Sequence, residues 1–385
     1  MNQREDNRIP GLDGLRGIAA TIVILAHMST WGYIFIPSLN FDGIGRTGVL
    51  LFFVLSAFLL TSQILNWSNK DLYSTKKWSS YMIARIFRVI PLFFLVIMVS
   101  FVLTKIEYLP IIWRYSEYIK ELPVPMSSDS LIKHFALLEG EDILWTIPVE
   151  FKFYLILPII MIALSLFGPL KSNPAKLAII LFIYITFDLM YLNNTQHKTD
   201  TLPFLSVFTT GVLLAILVQS KIFSNLGHHH QLWFEILAWL CILIYIMLIP
   251  EFFNAIFGFS PSKNITESNA VYSLLWGTFI FSMLHGKGLM RRILNSQFLV
   301  FLGAISFSLY IWHRIPIKIM HRVDSINQLN LNPTIEAIIV YTCSLLLAYI
   351  SYRTFERPFL SMGGRIRYRL KNSINSPNAR NIKRG

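Results

Sequence analysis

Long apolar stretches separated by short polar ones dominate this sequence. Each stretch runs for roughly 17 to 25 residues, which is enough to cross a hydrocarbon core of about 30 Å as an α-helix. Ten such spans are predicted, near residues 17–36, 47–65, 84–104, 144–166, 177–192, 203–219, 232–249, 269–285, 297–318 and 335–352. The fold class is therefore an all-α, polytopic membrane protein with about ten transmembrane helices.

The composition supports a membrane protein and leaves no room for a large soluble domain. Of the 385 residues, 54% are hydrophobic and only 14% are charged, and the mean hydropathy is +0.54. The first span follows a short polar start and lacks a convincing small-residue cleavage site. We therefore expect it to be retained rather than removed as a signal peptide.

Positive charge is unevenly distributed among the predicted loops. Loops on one side hold 23 of the 34 Lys and Arg residues, in segments 1–16, 66–88, 166–176, 221–231, 287–296 and 353–385. Because positively charged loops stay in the cytoplasm, both termini are expected there. The net charge of +13 suits a surface of anionic lipids, so membrane lipids are expected partners and nucleic acid is not required.

Two segments outside the spans carry structural predictions. Residues 361–385 form a basic cytoplasmic tail, rich in Asn, Ser and Arg, which we predict to be disordered. The outer loop at 105–143 mixes aromatic and charged residues with three prolines, so we expect it to pack as short helices over the outer mouth.

Neither a disulfide framework nor a metal site is indicated. The two cysteines, Cys241 and Cys343, both lie in apolar spans. The run His228-His229-His230 is a possible metal-binding tract, but a solvated inner loop is the favoured interpretation. No metal is predicted.

The first span carries Arg16 and His27, which are eleven residues apart. Three helical turns place them on one face, about 16 Å apart along the axis. Arg16 is predicted at the inner boundary and His27 near the bilayer midplane. A neutral imidazole can accept a proton, which makes His27 a candidate base. The alternative is a histidine that hydrogen-bonds between helices for packing.

The third span begins with Arg85 and Arg88, whose spacing of three residues points both guanidinium groups to one face. Two adjacent guanidinium groups suit the recognition of phosphates. The alternative is a pair of flanking arginines that extend to the membrane surface.

Glu150 lies about two turns into the fourth span, where a carboxylate needs a partner. It is a candidate for orienting a base or binding a hydroxyl, and the alternative is an ion pair with Lys152. Asp188 in the fifth span raises the same question, and there a structural role is favoured.

The ninth span places Ser306, Tyr310 and His313 roughly on one face. These side chains are candidates for lining an acceptor site. The alternative is hydrogen bonding across helices, as polar side chains often do in membranes.

Taken together, these segments resemble the acyltransferase 3 family of bacterial membrane acyltransferases, which includes O-antigen, capsule and peptidoglycan O-acetyltransferases. The resemblance covers nearly the whole chain, with residues 1–360 as the family's transmembrane domain. It rests on the order of six motifs: GLDGLRGIAATIVILAH, GVLLFFVLSAFLL, RIFRVIP, LWTIPVEFKFYLILP, ISFSLYIWHRIP and YRTFERPF.

The resemblance implies roles for two pairs of residues. Arg16 and His27 match the family's catalytic pair, and Arg85 and Arg88 match its donor-binding pair. It also implies acetyl-CoA or a related acyl-CoA as the donor from the cytoplasm. The acceptor would be a hydroxyl of a cell-envelope polysaccharide or its lipid-linked precursor, and lipopolysaccharide is one example. A multi-pass protein of the bacterial inner membrane is the location implied.

The chain also departs from the family pattern. Leu50 and Ala57 stand where the second-span motif commonly has Asp and Gly, and Glu150 is followed by Phe151 where two adjacent Glu are frequent. Some members carry an additional extracellular domain that completes the transfer. Because this chain ends at residue 385, it is expected to acylate its acceptor directly.

The sequence therefore predicts an O-acyltransferase in which Arg85 and Arg88 hold the donor phosphates and His27 acts as a general base. Arg16 positions the donor or stabilises charge, and Glu150 orients His27 or the acceptor. An acyl-histidine intermediate is a variant of this mechanism. The rival hypothesis is a transporter or flippase of a glycolipid envelope precursor, in which the buried charges form a substrate or proton path.

Overall fold

The chain is described by a computed structural model. It covers residues 9–37, 39–106, 122, 124–166, 180, 184, 186, 199–220, 228–328 and 331–372. Throughout these residues the regular structure is helical. The α-helices are α1 (Leu12–Thr30), α2 (Gly45–Leu65), α3 (Thr75–Ile106), α4 (Ser128–Phe135), α5 (Thr146–Leu166), α6 (Leu205–Gln219), α7 (His228–Met247), α8 (Pro250–Phe257), α9 (Lys263–Thr266), α10 (Asn269–Gly286), α11 (Leu289–Leu294), α12 (Gln297–Trp312), α13 (Arg314–Asn327), α14 (Pro333–Ser351) and α15 (Arg357–Asn372). Short 3₁₀ turns precede α3, α5 and α6, and a π-helical turn, Tyr352–Glu356, joins α14 to α15.

Seven helical segments in the described part of the chain are long and apolar enough to span a membrane. The pair α12 and α13, which meets at a bend of 52°, raises that number to eight if it counts as one broken span. The helix α10 has the length of a span but is more polar, because Asn269, Ser273 and His285 lie in it. The predicted span at 177–192, with Asp188, falls almost entirely outside the described residues. An all-helical membrane protein is therefore confirmed, whereas the count of ten and the orientation stay predictions.

Close contacts between small residues bring α1 against α12. A Cβ atom built on Gly303 of α12 would lie 1.9 Å from the carbonyl oxygen of Asp13 in α1. A Cβ atom on Gly17 of α1 would in turn lie 2.8 Å from the Cβ atom of Leu302. Only glycine lets the two backbones approach this closely, as in other membrane helix pairs. The glycines of the first motif therefore position the helix that carries Arg16 and His27.

The core is centred on α2, which is buried along most of its length. Stacked aromatic rings join it to its neighbours: Phe53 of α2 lies 4.8 Å from the ring of Phe208 in α6, and Phe208 stacks at 4.0 Å on Phe153 of α5. By contrast, α7 exposes large apolar side chains such as Trp233, which is 69% exposed. A surface of this kind is suited to contact with lipid tails.

Two predictions about loops and tails need correction. Residues 361–372 of the predicted disordered tail continue α15 as a helix, because Gly363 packs so closely on Phe87 of α3 that an added Cβ would lie 2.7 Å from the Phe87 Cβ. Tertiary packing of this kind stabilises a helix that composition alone does not predict. The run from His228 to His230 is the first turn of α7 rather than a loop, since histidine does not break a helix.

The segment before α5, which the sequence predicts to be an outer loop, contains one of the short helices that were expected there. This helix, α4, begins at a capping serine, Ser127, whose hydroxyl accepts a hydrogen bond from the backbone N–H of Ser130. Lys133 forms ion pairs with Asp129 and Glu139, and the hydrogen bond to Asp129 is the main reason that its pKa is raised. Residues 107–121 of the same segment lie outside the described residues.

Candidate active site

A cavity between α1, α2, α3, α5 and α12 brings together most of the predicted site residues. Its volume, including the part open to solvent, is about 770 Å³. Side chains from α2, such as Phe52 and Leu59, form an apolar part of its wall. The polar part consists of Arg16, Ser56, Arg85, Arg88, Thr146, Glu150, Tyr154, Ser306 and Tyr310. Six of the eight predicted residues therefore line one cavity, and the other two, His27 and His313, do not.

The cavity is rich in positive charge. Arg16 comes from α1, and Arg85 and Arg88 come from α3 at the spacing that the sequence predicted. No described carboxylate lies within 4.0 Å of any of these three guanidinium groups. The Nε atom of Arg85 is buried and makes no hydrogen bond to a described residue. A buried donor of this kind is suited to an anionic ligand, because leaving it unpaired is costly.

Glu150 faces this arginine cluster from α5 rather than pairing with Lys152. The Lys152 ammonium donates a hydrogen bond to the carbonyl oxygen of Thr199 at 3.0 Å, so the alternative of a local ion pair is not formed. Glu150 instead interacts with the hydroxyl of Tyr154, one helical turn further on, and the charge of Arg85 lies near that same tyrosine. The carboxylate thus lies where it can contact a bound ligand.

His27 lies beyond the cavity and is paired with His313. Its Nδ1 atom is 2.8 Å from Nε2 of His313, and the two rings are parallel to within 4°. His313 is fully buried at the bend between α12 and α13, whereas His27 is only partly buried. The structure therefore brings the predicted base into direct contact with a residue that the sequence placed at an acceptor site.

The hydroxyl groups of the ninth predicted span make contacts within the protein. The hydroxyl of Tyr310 donates to the carbonyl oxygen of Ile143 at 2.8 Å and accepts from Thr146 at 3.1 Å. Ser306 donates to the carbonyl oxygen of Gly303, one turn earlier in α12. Both side chains still line the cavity, so their role towards an acceptor stays a prediction.

One ion pair lies beside His313, between the next residue, Arg314, and Asp142. The Nε–H group of Arg314 donates to Oδ2 of Asp142 at 2.7 Å, and the side chains are only 14% and 26% exposed. Asp142 begins the 3₁₀ turn before α5 and has a left-handed backbone with φ of 49°. The pair therefore ties the bend between α12 and α13 to the start of α5.

We expect the pair of Asp142 and Arg314 to stabilise the fold measurably. A double-mutant cycle of Asp142→Asn and Arg314→Gln should give a coupling energy of about 0.5–3 kcal/mol, read from unfolding of the purified protein in detergent. Asn suits the test because it tolerates the left-handed backbone at this position. Strict additivity of the two single variants would show that the pair contributes nothing.

Two residues of the site were missed as candidates in the sequence. Tyr154 follows Glu150 by four residues, a spacing that places both on one helical face. Glu356 lies in the YRTFERPF motif, is buried, and accepts a hydrogen bond from Ser308 at 2.7 Å. Its carboxylate also interacts with Arg88, which links the end of the motif to the arginine cluster. The spacing of four residues from Glu150 could have indicated Tyr154. No local sequence pattern relates Glu356 to Arg88.

The described residues contain no cluster of three His, Cys, Asp or Glu side chains that could hold a metal ion. The chemistry available in this part of the chain is that of arginine, histidine, carboxylate and hydroxyl groups. These groups can bind an anion, move a proton and orient a hydroxyl.

The helices and the cavity define a polytopic membrane protein with a buried, arginine-rich site. The chain belongs to the acyltransferase 3 family, whose acyltransferase domain matches residues 9–353. The match includes every residue that lines the cavity and both histidines of the pair. The family expected from the motifs is therefore confirmed.

Several curated proteins are similar to the chain along most of its length. A Staphylococcus aureus (strain COL) protein provisionally named an O-acetyltransferase is 26% identical over 382 residues, which is 92% of this chain and 58% of that protein. The O-acetyltransferase OatA of Staphylococcus aureus (strain NCTC 8325 / PS 47) is 26% identical over 372 residues, with the same two shares.

YrhL of Bacillus subtilis (strain 168), provisionally named a peptidoglycan O-acetyltransferase, is 26% identical over 394 residues. That alignment covers 93% of this chain and 56% of YrhL. The chain thus spans somewhat more than half the length of these relatives. No solved structure matches it significantly.

Proposed function

We propose that this protein is a membrane-embedded O-acetyltransferase that moves an acetyl group from acetyl-CoA to a hydroxyl of a cell-envelope polysaccharide or its lipid-linked precursor. The observation that carries the proposal is the single cavity in which Arg16, Arg85, Arg88 and Glu150 meet. His27, on the same helix as Arg16, is the base, and its partner His313 has its ring centroid 6.0 Å from that of the cavity residue Tyr310. Membership of the acyltransferase 3 family and the names of the relatives support the same reaction.

The donor is held by charge. Arg85 and Arg88 project from α3 and bind the phosphates of acetyl-CoA, which arrive from the cytoplasm. This role is consistent with the buried Arg85 Nε atom, which makes no hydrogen bond among the described residues. The apolar wall formed by α2 side chains accommodates the uncharged arm that connects the phosphates to the thioester.

The chemical step is an acyl transfer between sulfur and oxygen. His27 removes the proton from the acceptor hydroxyl while the oxygen of that hydroxyl attacks the thioester carbonyl carbon. The new C–O bond forms as the C–S bond breaks, and the proton on the imidazole passes to the departing CoA thiolate. Arg16 stabilises the negative charge that develops, and Glu150 orients the acceptor hydroxyl.

The acceptor proposed is a polysaccharide or glycolipid of the bacterial envelope, and the protein acts from the inner membrane. The name of YrhL mentions peptidoglycan, which makes a peptidoglycan precursor the first acceptor to test. The many exposed apolar side chains of α7 and α14 fit a protein surrounded by membrane lipids.

The test is thiol release by purified protein in lipid nanodiscs supplied with acetyl-CoA and an envelope glycan. We expect free CoA and an acetylated glycan in equal amounts, detected by a thiol reagent and by mass spectrometry. A transporter or flippase would move a labelled glycolipid without cleaving the thioester. Transport without thiol release would therefore overturn the proposed function.

Replacement of Arg88 by alanine should weaken donor binding. We expect the KM for acetyl-CoA to rise about tenfold or more, because a charge-assisted contact with phosphate contributes about 1.5–3 kcal/mol. The matched control is Arg292→Ala on α11, which is an exposed cation away from the cavity. An unchanged KM in Arg88→Ala would show that Arg88 does not bind the donor and is a flanking arginine that extends to the membrane surface.

A further inference from the structure

The side chain of His313 is held by two contacts whose directions can be assigned. Its Nδ1 atom is 2.7 Å from the carbonyl oxygen of Tyr310, and its Nε2 atom is 2.8 Å from Nδ1 of His27. A carbonyl oxygen only accepts hydrogen bonds, so the proton on Nδ1 of His313 points to Tyr310. This contact fixes which nitrogen of His313 carries a hydrogen atom.

That assignment determines which ring nitrogen of His27 carries the proton. A neutral His313 with its proton on Nδ1 has a lone pair on Nε2, which can only accept. The hydrogen between the two rings must therefore come from Nδ1 of His27. A neutral His27 with its proton on Nδ1 has its lone pair on Nε2, the nitrogen at the opposite edge of the ring from His313.

We propose that His313 is a positioning residue that holds His27 in the Nδ1–H tautomer, so that Nε2 of His27 is the atom that removes the proton from the acceptor. The inference rests on the proposed function, because it assigns the atom of His27 that performs the step described there. It gives His313 a role other than lining the acceptor site. His313 acts through His27 and does not contact the reacting atoms.

The surroundings of His313 keep it rigid, as a positioning role requires. Its backbone N–H donates to the carbonyl oxygen of Leu309, and Arg314, the next residue, is fixed to Asp142. Tyr310, which supplies the accepting carbonyl, is itself anchored through its hydroxyl to the carbonyl oxygen of Ile143. The imidazole of His313 is thus hydrogen-bonded to Tyr310, and the contacts of Tyr310 and Arg314 hold this part of the bend against the segment before α5.

The parallel arrangement of the two rings supports a directed hydrogen bond over simple packing. The ring planes are within 4° of parallel and the ring centroids are 5.1 Å apart, so with the two nitrogens 2.8 Å apart the rings meet edge to edge, which aligns the N–H direction of His27 with the lone-pair direction of His313. The N···N distance of 2.8 Å is at the short end of the normal range. Packing alone would not require nitrogen to face nitrogen.

The tautomer can be measured directly by ¹⁵N NMR of the full protein with labelled histidine in nanodiscs. Difference spectra against His27→Gln identify the His27 signals. We expect wild-type His27 to carry its proton on Nδ1. In His313→Leu, which offers no acceptor, this preference should be lost, whereas in His313→Gln the side-chain amide accepts from His27 and donates to Tyr310, so the preference should remain.

Kinetics give a second, independent result. In His313→Leu we expect kcat for acetyl transfer to fall about 10- to 100-fold, as for other residues that orient a functional histidine, with little change in the KM for acetyl-CoA. In His313→Gln most of the kcat should return. Thermal unfolding of both variants checks that a lower rate in His313→Leu does not come from loss of folded protein.

Three outcomes would overturn the inference. They are a wild-type His27 with its proton on Nε2, a kcat of His313→Leu equal to that of wild type, and equal loss of kcat in the Gln and Leu variants. Failure of the proposed function has a different signature, since wild-type protein would then release no thiol. The NMR result would still decide whether His313 sets the tautomer of His27.

Discussion

Replacement of His27 by alanine should reduce acetyl transfer by about 100- to 10,000-fold, the usual contribution of a general base. The variant should fold, because His27 is partly exposed and the glycine contacts between α1 and α12 do not involve it. The measurement is the initial rate of thiol release at saturating acetyl-CoA and acceptor. The KM for acetyl-CoA should change little, since the arginines proposed to bind its phosphates are on α3.

The matched control for this variant is His230→Ala, which removes an exposed histidine in the first turn of α7. Its rate should equal that of wild type. Wild-type turnover by His27→Ala would exclude His27 as the base and leave it with the packing role that the sequence also allowed.

Replacement of Gly303 by alanine should have the largest effect on stability. The added Cβ would lie 1.9 Å from the carbonyl oxygen of Asp13, so the backbones of α1 and α12 must move apart. Overpacking of this kind typically costs about 1–3 kcal/mol, and here the clash is with backbone that cannot change rotamer. We expect a lower unfolding temperature in detergent and reduced acetyl transfer, because α1 carries Arg16 and His27.

Ala304, the residue after Gly303, provides the matched control. Ala304 is on the same helix but exposed, so Ala304→Leu adds more volume on the outer surface without meeting α1. This variant should unfold at the wild-type temperature. If Gly303→Ala were as stable as Ala304→Leu, the close approach of α1 and α12 in the structure would be incorrect.

Much of the helical architecture could be predicted from the sequence, because membrane helices have a local signature. The apolar stretches correspond to α1, α2, α3, α5, α6, α7 and α14, and the bent pair of α12 and α13 corresponds to the ninth predicted span. Their bounds differ from the predicted ones by several residues, since α3 extends from Thr75 to Ile106 and α14 continues through a π-helical turn into α15. Apolar length alone does not mark where a helix continues past the membrane.

The candidate site was partly predictable for the same reason. Arg85 and Arg88 share a helical face by their spacing, and both line the cavity with Arg16 and Glu150. The partners of Glu150 and His27 could not be predicted, because they are set by which helices pack together. Lys152, two residues from Glu150, bonds to Thr199 instead, and the partner of His27 is 286 residues away.

The sequence by itself determined that this protein is a helical membrane protein of the acyltransferase 3 family with arginines, a histidine and a glutamate in its spans. These properties depend on local composition, periodicity and motifs, which a linear sequence contains. The tertiary structure alone decided that six of the predicted residues share one cavity, and that His27 and His313 form a pair beside it. The physical reason is that helix packing, set here by contacts such as Gly303 against Asp13, brings together side chains that are far apart in the chain.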